Sequence, residues 1–245
     1  MSGHSKWASI KHKKAATDSK RGKLFTKFIK EITVAARNGG DINTNPRLRT
    51  AIDRAKQANM PADNIDRAVK KGTGELEGVT YEEFSMEGYG PGGVAIIVDI
   101  LTDNKNRSAA EIRNIFTKKN GSIAGAGSVA WMFEKKGYIA IDKKTASEDK
   151  VMDIVLDAGA QDMETQEDIY SVITDPKDFE AVKKALEDNK IKIDSAEITM
   201  VPKSSVKLTG DAAKNILALV EELEDHDDSQ NVYANFDIPD EEIGA

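Results

Sequence analysis

Lysines dominate the reactive groups at the start of this 245-residue chain, and their spacing suits phosphate better than catalysis. The segment Gly3-His4-Ser5-Lys6-Trp7-Ala8-Ser9-Ile10-Lys11-His12-Lys13-Lys14 sets cations beside an indole and two imidazoles. Ammonium groups neutralise phosphates and release their counterions; Trp7 offers a face for an unpaired base, and His12 can stack or hydrogen-bond. Lys20, Arg21, Lys23, Lys27 and Lys30 follow, then Arg47 and Arg49. The competing reading is a solvated tail whose tryptophan docks on the chain's own helices. Because the charge continues along the next helix instead of ending with the tail, a nucleic-acid partner is the favoured expectation.

Other constellations are weaker. Gly88-Tyr89-Gly90-Pro91-Gly92-Gly93 satisfies GxGxxG, but it precedes a strand instead of opening a helix, and Pro91 removes a donor. A tight turn is the better reading. No Walker A, Gly-x-Ser-x-Gly or His-Glu-x-x-His pattern occurs. Asp99, Asp103 and Asn104 stand at a strand end, where they could ligate a nuclease metal or cap the following helix. Glu221-Glu222-Leu223-Glu224-Asp225-His226-Asp227-Asp228 holds six acids in eight residues. That run could attract a hard cation, end a helix in solvent, or screen the basic head when no polyanion is bound. The chain has no cysteine, which removes disulfide and thiolate chemistry. No catalytic residue, metal, cofactor or small-molecule substrate is expected. The alternatives are a metal-dependent phosphodiester hydrolase using Asp99 or Asp103, and an adaptor whose head binds an acidic protein.

The charge is segregated. Residues 1–72 carry 17 Lys and Arg against 6 Asp and Glu, while residues 73–245 carry 18 against 36. A head of +11 is thus joined to a body of −18, and the net −7 conceals a strongly basic module. The N-terminus lacks the apolar core of a secretory signal, and the densest aliphatic run, Val94 to Val98, is far too short to span a membrane. A cytoplasmic protein without membrane contact is the expectation.

Periodicity supplies the scaffold. Leu24, Phe25, Phe28, Ile29, Ile32, Ala35 and Ala36 recur at helical spacing over an arc of roughly 140°, with Lys20, Lys23, Lys27, Lys30 and Arg37 opposite. Asp18 opens this helix and Asn38-Gly39-Gly40 ends it. A second helix starts at Asn45-Pro46, and a third runs from Pro61 to a stop at Gly72. Gly72 to Gly78 reads as a linker. Beyond it lie a strand (94–102), a helix (105–119) and a strand (128–133). Residues 138–201 then follow a βαββαβ order, and a helix (209–223) and a strand (231–236) remain. The expected fold class is α+β: a basic three-helix domain, 1–72, then two α/β domains. The first would comprise 80–135 plus 203–245, and the second, ferredoxin-like and inserted in it, 136–202.

Several of these segments together resemble one family. Gly3-His4-Ser5-Lys6-Trp7, Ile10-Lys11-His12-Lys13-Lys14, Lys20-Arg21-Gly22-Lys23 and Phe25-Thr26-Lys27 are similar to the opening signature of the YebC/PmpR family. Asn45-Pro46-Arg47-Leu48-Arg49, Asn59-Met60-Pro61, Glu87 to Val94, Leu101-Thr102-Asp103-Asn104 and Glu224 to Asp228 extend the likeness along the chain. Ala124, where the family usually has glycine, and Ile42, where proline is common, depart from it. The resemblance implies a helical N-terminal domain, two α/β domains and no catalysis. It further implies a transcriptional regulator that binds DNA, or a translation factor that binds ribosomal RNA on the ribosome and aids elongation through proline-rich stretches. No base-reading helix-turn-helix is evident, which tilts the physical expectation towards RNA.

Overall fold

The computed structural model describes residues 18–165 and 168–239. Lys6, Trp7, Lys11, His12, Lys13 and Lys14 therefore lie outside the described residues, as does the side chain of Lys20.

Among the described residues three helices form the head: α1 (Asp18–Ala36), α2 (Pro46–Gln57) and α3 (Ala62–Thr73). Asn45 caps α2, its Oδ1 accepting from Leu48 N–H at 3.1 Å. Its amide donates to Ala35 O and Gly39 O, both at 2.8 Å, which ties the end of α1 to the start of α2. Ile32, Ala35, Leu48, Ala51, Ile52, Ile65 and Ala68 fill the space between the helices. Gly72 does not stop α3. A Cβ there would overlap the Thr33 carbonyl oxygen and stand 2.6 Å from Ala36 Cβ, so this glycine lets α3 lie against α1. The helix ends instead at Gly74, left-handed with φ of 84°.

Four strands build the first sheet: β1 (Glu82–Tyr89), β2 (Ala95–Thr102), β3 (Ser122–Ala124) and β9 (Ser229–Ala234). Their order across it is β3-β1-β2-β9. Helices α4 (Lys105–Lys118) and α7 (Gly210–Asp225) supply Ile112, Phe116, Ile216 and Leu219 to the core the sheet shares with them. β1 was not expected, because its three glutamates and Gly88 mask its alternation. The glycine motif is the hairpin joining β1 to β2, with Gly92 and Gly93 at φ of 75° and 78°. Residues 128–132 are not a strand, contrary to expectation. They make a turn with a short 3-10 segment, Ala130–Met132, and the next strand begins only at Phe133. The reason is Glu87, whose carboxylate captures the N–H groups of Gly127 (2.6 Å), Val129 (2.7 Å) and Ala130 (3.0 Å) before a ladder can.

The second sheet follows the expected βαββαβ path: β4 (Phe133–Asp142), α5 (Glu148–Asp157), β5 (Ala160–Thr165), β6 (Ile169–Thr174), α6 (Phe179–Asp188) and β7 (Ile193–Pro202). The order β5-β6-β4-β7, antiparallel throughout, is ferredoxin-like. Ile139, Ile141, Val151, Val155, Val182 and Leu186 are buried beneath its helices. After β7 the chain returns: β8 (Val206–Lys207) pairs in parallel with β10 (Phe236–Asp237), and β9 lies beside β2. The fold is α+β. No helix among the described residues is long and apolar enough to cross a membrane.

Candidate nucleic-acid interface

The lysine face of α1 rests on the C-terminal end of α7. The last carbonyls of a helix lack intrahelical donors and carry the negative end of its dipole, so cations are favoured there. Lys27 Nζ donates to Glu224 O at 2.6 Å, Lys23 Nζ to Asp225 O at 3.1 Å and Lys30 Nζ to Asp227 O at 3.0 Å. Their spacing of four and then three residues sets the three ammoniums along one side of α1. The sequence allowed the acidic run to meet the basic head, and the two do meet. Main-chain carbonyls take part in each of these contacts.

Lys30 goes deeper. It is 8% exposed and reaches Asp228 Oδ1 at 2.5 Å. Asp228, 4% exposed, also accepts from Ser108 Oγ (2.5 Å), Thr102 Oγ1 (3.0 Å) and Arg107 Nη2 (3.1 Å) on its other oxygen. Burial opposes its charge, but the bonds from Lys30, Ser108 and Arg107 outweigh that and hold the carboxyl well below the usual range. One buried carboxylate thus joins α1, the end of β2, α4 and the approach to β9.

Among the described residues, the other cations of α2, α3 and the end of α1 divide into two groups. Arg47 bonds Glu31 Oε1 at 2.9 Å and grips both oxygens of Glu83. Arg54 pairs with Glu197 of β7 at 2.7 Å, and Arg37 donates to Tyr81 O at 2.8 Å. Arg49, Lys56, Arg67 and Lys71, by contrast, are exposed and have no partner among the described residues. Arg21 is exposed near the start of α1. Sequence reasoning singled out Arg49 and passed over Lys56, Arg67 and Lys71. Their signal was available: Arg49 and Lys56 stand seven apart, and Arg67 and Lys71 four apart, each pair off its helix's buried stripe.

The acids read as possible metal ligands serve the fold. Asn104 caps α4 by accepting from Arg107 N–H at 3.1 Å, and Asp103 pairs with Arg107 at 2.8 Å. Asp99 accepts from Ser85 Oγ at 2.8 Å. Ligand atoms of Glu111, His226 and Asp228 lie within 4.8 Å of one another. Asp228 N–H donates to His226 Nδ1 at 3.2 Å, which directs the proton of the neutral ring to Nε2, 2.9 Å from Glu111. Lys30 and Arg107 pair with Asp228, and His226 hydrogen-bonds Glu111, so each member of the group already has a partner within the protein. It lines a cleft of about 680 Å³ between head and body, together with Lys23, Thr26 and Tyr81.

Known proteins align with these elements. Residues 5–75 match the model of the TACO1/YebC protein N-terminal domain, and residues 81–236 that of the TACO1/YebC second and third domain. A probable transcriptional regulatory protein of Desulfatibacillum aliphaticivorans is 58% identical over 245 residues, covering 100% of this chain and 99% of that one. A protein of the same description from Geobacter sulfurreducens is 59% identical over 244 residues, covering 99% and 98%. The crystal structure of a conserved hypothetical protein from Aquifex aeolicus superimposes with a TM-score of 0.85 at 47% identity, over 96% of this chain and 97% of that one.

Proposed function

The chain belongs to the TACO1/YebC family, and from that membership we propose that it is a non-enzymatic, DNA-binding regulator of transcription whose head, residues 1–72, grips the phosphate backbone. The observation that carries this reading is the pattern of cations. The head is +11, and on α2 and α3 Arg49, Lys56, Arg67 and Lys71 stand exposed without a partner among the described residues. The names of the relatives support a regulator and denote no enzyme class. Engagement through α2 and α3 leaves the contact with α7 intact. Engagement through Lys23, Lys27 and Lys30 requires it to open, with phosphate oxygens replacing carbonyls.

A second reading, binding of ribosomal RNA on the ribosome, draws on one observation. Asp63 stands in the first turn of α3 and Asp66 follows it, paired with Lys70 at 2.7 Å, so the helix end that would enter a duplex groove meets the phosphates with acids. Crosslinking in cells and sequencing of the recovered nucleic acid distinguishes the two: promoter DNA supports the first, ribosomal RNA the second, and neither polymer defeats both. In vitro, replacing Arg49, Lys56, Arg67 and Lys71 by alanine should flatten the salt dependence by about 0.7 to 0.9 decades per decade of salt for each phosphate no longer neutralised. An unchanged slope removes α2 and α3 from the interface, and a slope flattened only by K23A/K27A assigns the grip to α1.

A further inference from the structure

Trp131 is 65% exposed, more than any other large apolar side chain among the described residues. It is also held in place: its indole N–H donates to Ser128 O, in its own turn, at 3.0 Å. Below it Val129 and Phe133, 0% and 4% exposed, anchor the turn, and Glu87 clamps three of the turn's N–H groups. Burial opposes the Glu87 charge, yet the bonds from Val129, Gly127 and Ala130 outweigh it and hold its carboxyl below the usual range. The core beneath is complete without the indole. A rigid turn therefore presents an aromatic face to solvent.

The surroundings indicate what covers that face. In a body where acids outnumber bases two to one, the strand leaving the turn opens Phe133-Glu134-Lys135-Lys136, with two lysines against one acid. Lys203 N–H donates to Met132 O at 2.9 Å, which brings a third lysine beside the turn. Lys136 and Lys203 share Glu134, at 3.4 Å and 3.5 Å, and Lys135 is exposed with no partner among the described residues. Gly125, Ala126 and Gly127 place little side-chain bulk in the way of an approaching chain. An aromatic face rimmed by cations and small residues has the composition of a single-strand site, whereas a docked protein would favour an apolar rim.

We propose that Trp131 is a stacking platform for an unpaired base of a single-stranded nucleic acid, with Lys135, Lys136 and Lys203 taking the adjoining phosphates. The inference rests on the nucleic-acid reading above and adds to it a contact outside residues 1–72. The chain has two tryptophans, so full-length W7F leaves Trp131 as the sole indole reporter. Titrating it with a labelled 20-nucleotide oligo(U) follows binding by anisotropy and stacking by tryptophan emission. The expected result is quenching that saturates together with the anisotropy. W131A should weaken binding about 5- to 150-fold at an unchanged salt slope, and W131F should recover part of the loss. The side chain is exposed, so thermal unfolding of W131A should match the parent. Rising anisotropy with unchanged emission, and wild-type affinity in W131A, overturns the platform and leaves the head's role standing. Absence of any anisotropy change down to low salt, in the wild type as in W7F and with duplex DNA as with oligo(U), overturns both.

Discussion

Lys30 and Asp228 are separated by 198 positions in the chain and by 2.5 Å in space. Both are nearly excluded from water, and Arg107 and Ser108 complete the carboxylate's shell. Removing one member of a buried pair leaves the other charge unsatisfied, a loss of about 3 to 5 kcal/mol. D228N should therefore lower the stability measured by urea unfolding by about 3 kcal/mol or more. A change below about 1 kcal/mol would show that Lys30 finds water or another acceptor.

The same carboxylate sets a pH dependence. Its folded value lies well below its unfolded one, so its contribution is complete above about pH 4 and falls away as the pH drops towards the folded value. Urea unfolding from pH 6 down to pH 2 should show wild-type stability declining below about pH 4. The decline should be shallower in D228N, because the amide takes up no proton. Parallel curves for the two proteins would place the acid sensitivity elsewhere.

Arg54 and Glu197 offer a contrast. Their side chains are 37% and 29% exposed, and such partly solvated pairs contribute about 1 kcal/mol or less. R54A should shift the urea midpoint slightly, and 1 M salt should abolish the difference. A loss as large as that of D228N would make this pair the main link between α2 and β7.

Gly72 tests helix packing. Alanine normally strengthens a helix interior by about 1 kcal/mol over glycine. Here its methyl group would overlap the Thr33 carbonyl oxygen, and G72A should instead destabilise by about 1 to 3 kcal/mol through separation of α1 and α3. Thermal unfolding decides the sign.

Glu87 should control the Trp131 turn. In E87Q one acceptor oxygen becomes a donor facing N–H groups, at a cost of about 1 to 3 kcal/mol. Hydrogen exchange should quicken at Gly127, Val129 and Ala130 ahead of the flanking strands. Unchanged protection at all three would show that the turn is held by Val129 and Phe133 alone.

How far the sequence revealed this molecule depended on the kind of signal. The apolar stripes of α1, α2 and α3 and the alternating order from β4 to β7 were legible because burial imposes a period. β1 was not, since Glu82, Glu83 and Glu87 broke its alternation, and Glu87 turned out to serve the neighbouring turn. The Lys23, Lys27 and Lys30 face was correctly read as polar and cationic. The acidic run 221–228 was one of the partners the sequence allowed it, but the mode of contact could not be read, because most of the acceptors are main-chain carbonyls at a helix end roughly 200 positions away, and carbonyls leave no mark in residue type. Trp131 was lost inside an expected strand, since a capture of N–H groups by one distant carboxylate has no local pattern.

The return of β9 to the flank of β2 has a consequence for biogenesis. Until Gly210 to Asp225 has been synthesised the α1 ammoniums have no helix end to hold, and until Ser229 to Ala234 follows β2 keeps one long aliphatic edge without its ladder. A nascent chain interrupted during the second sheet is thus born with an adhesive border, and safe maturation is a matter of finishing translation before neighbouring polypeptides find it.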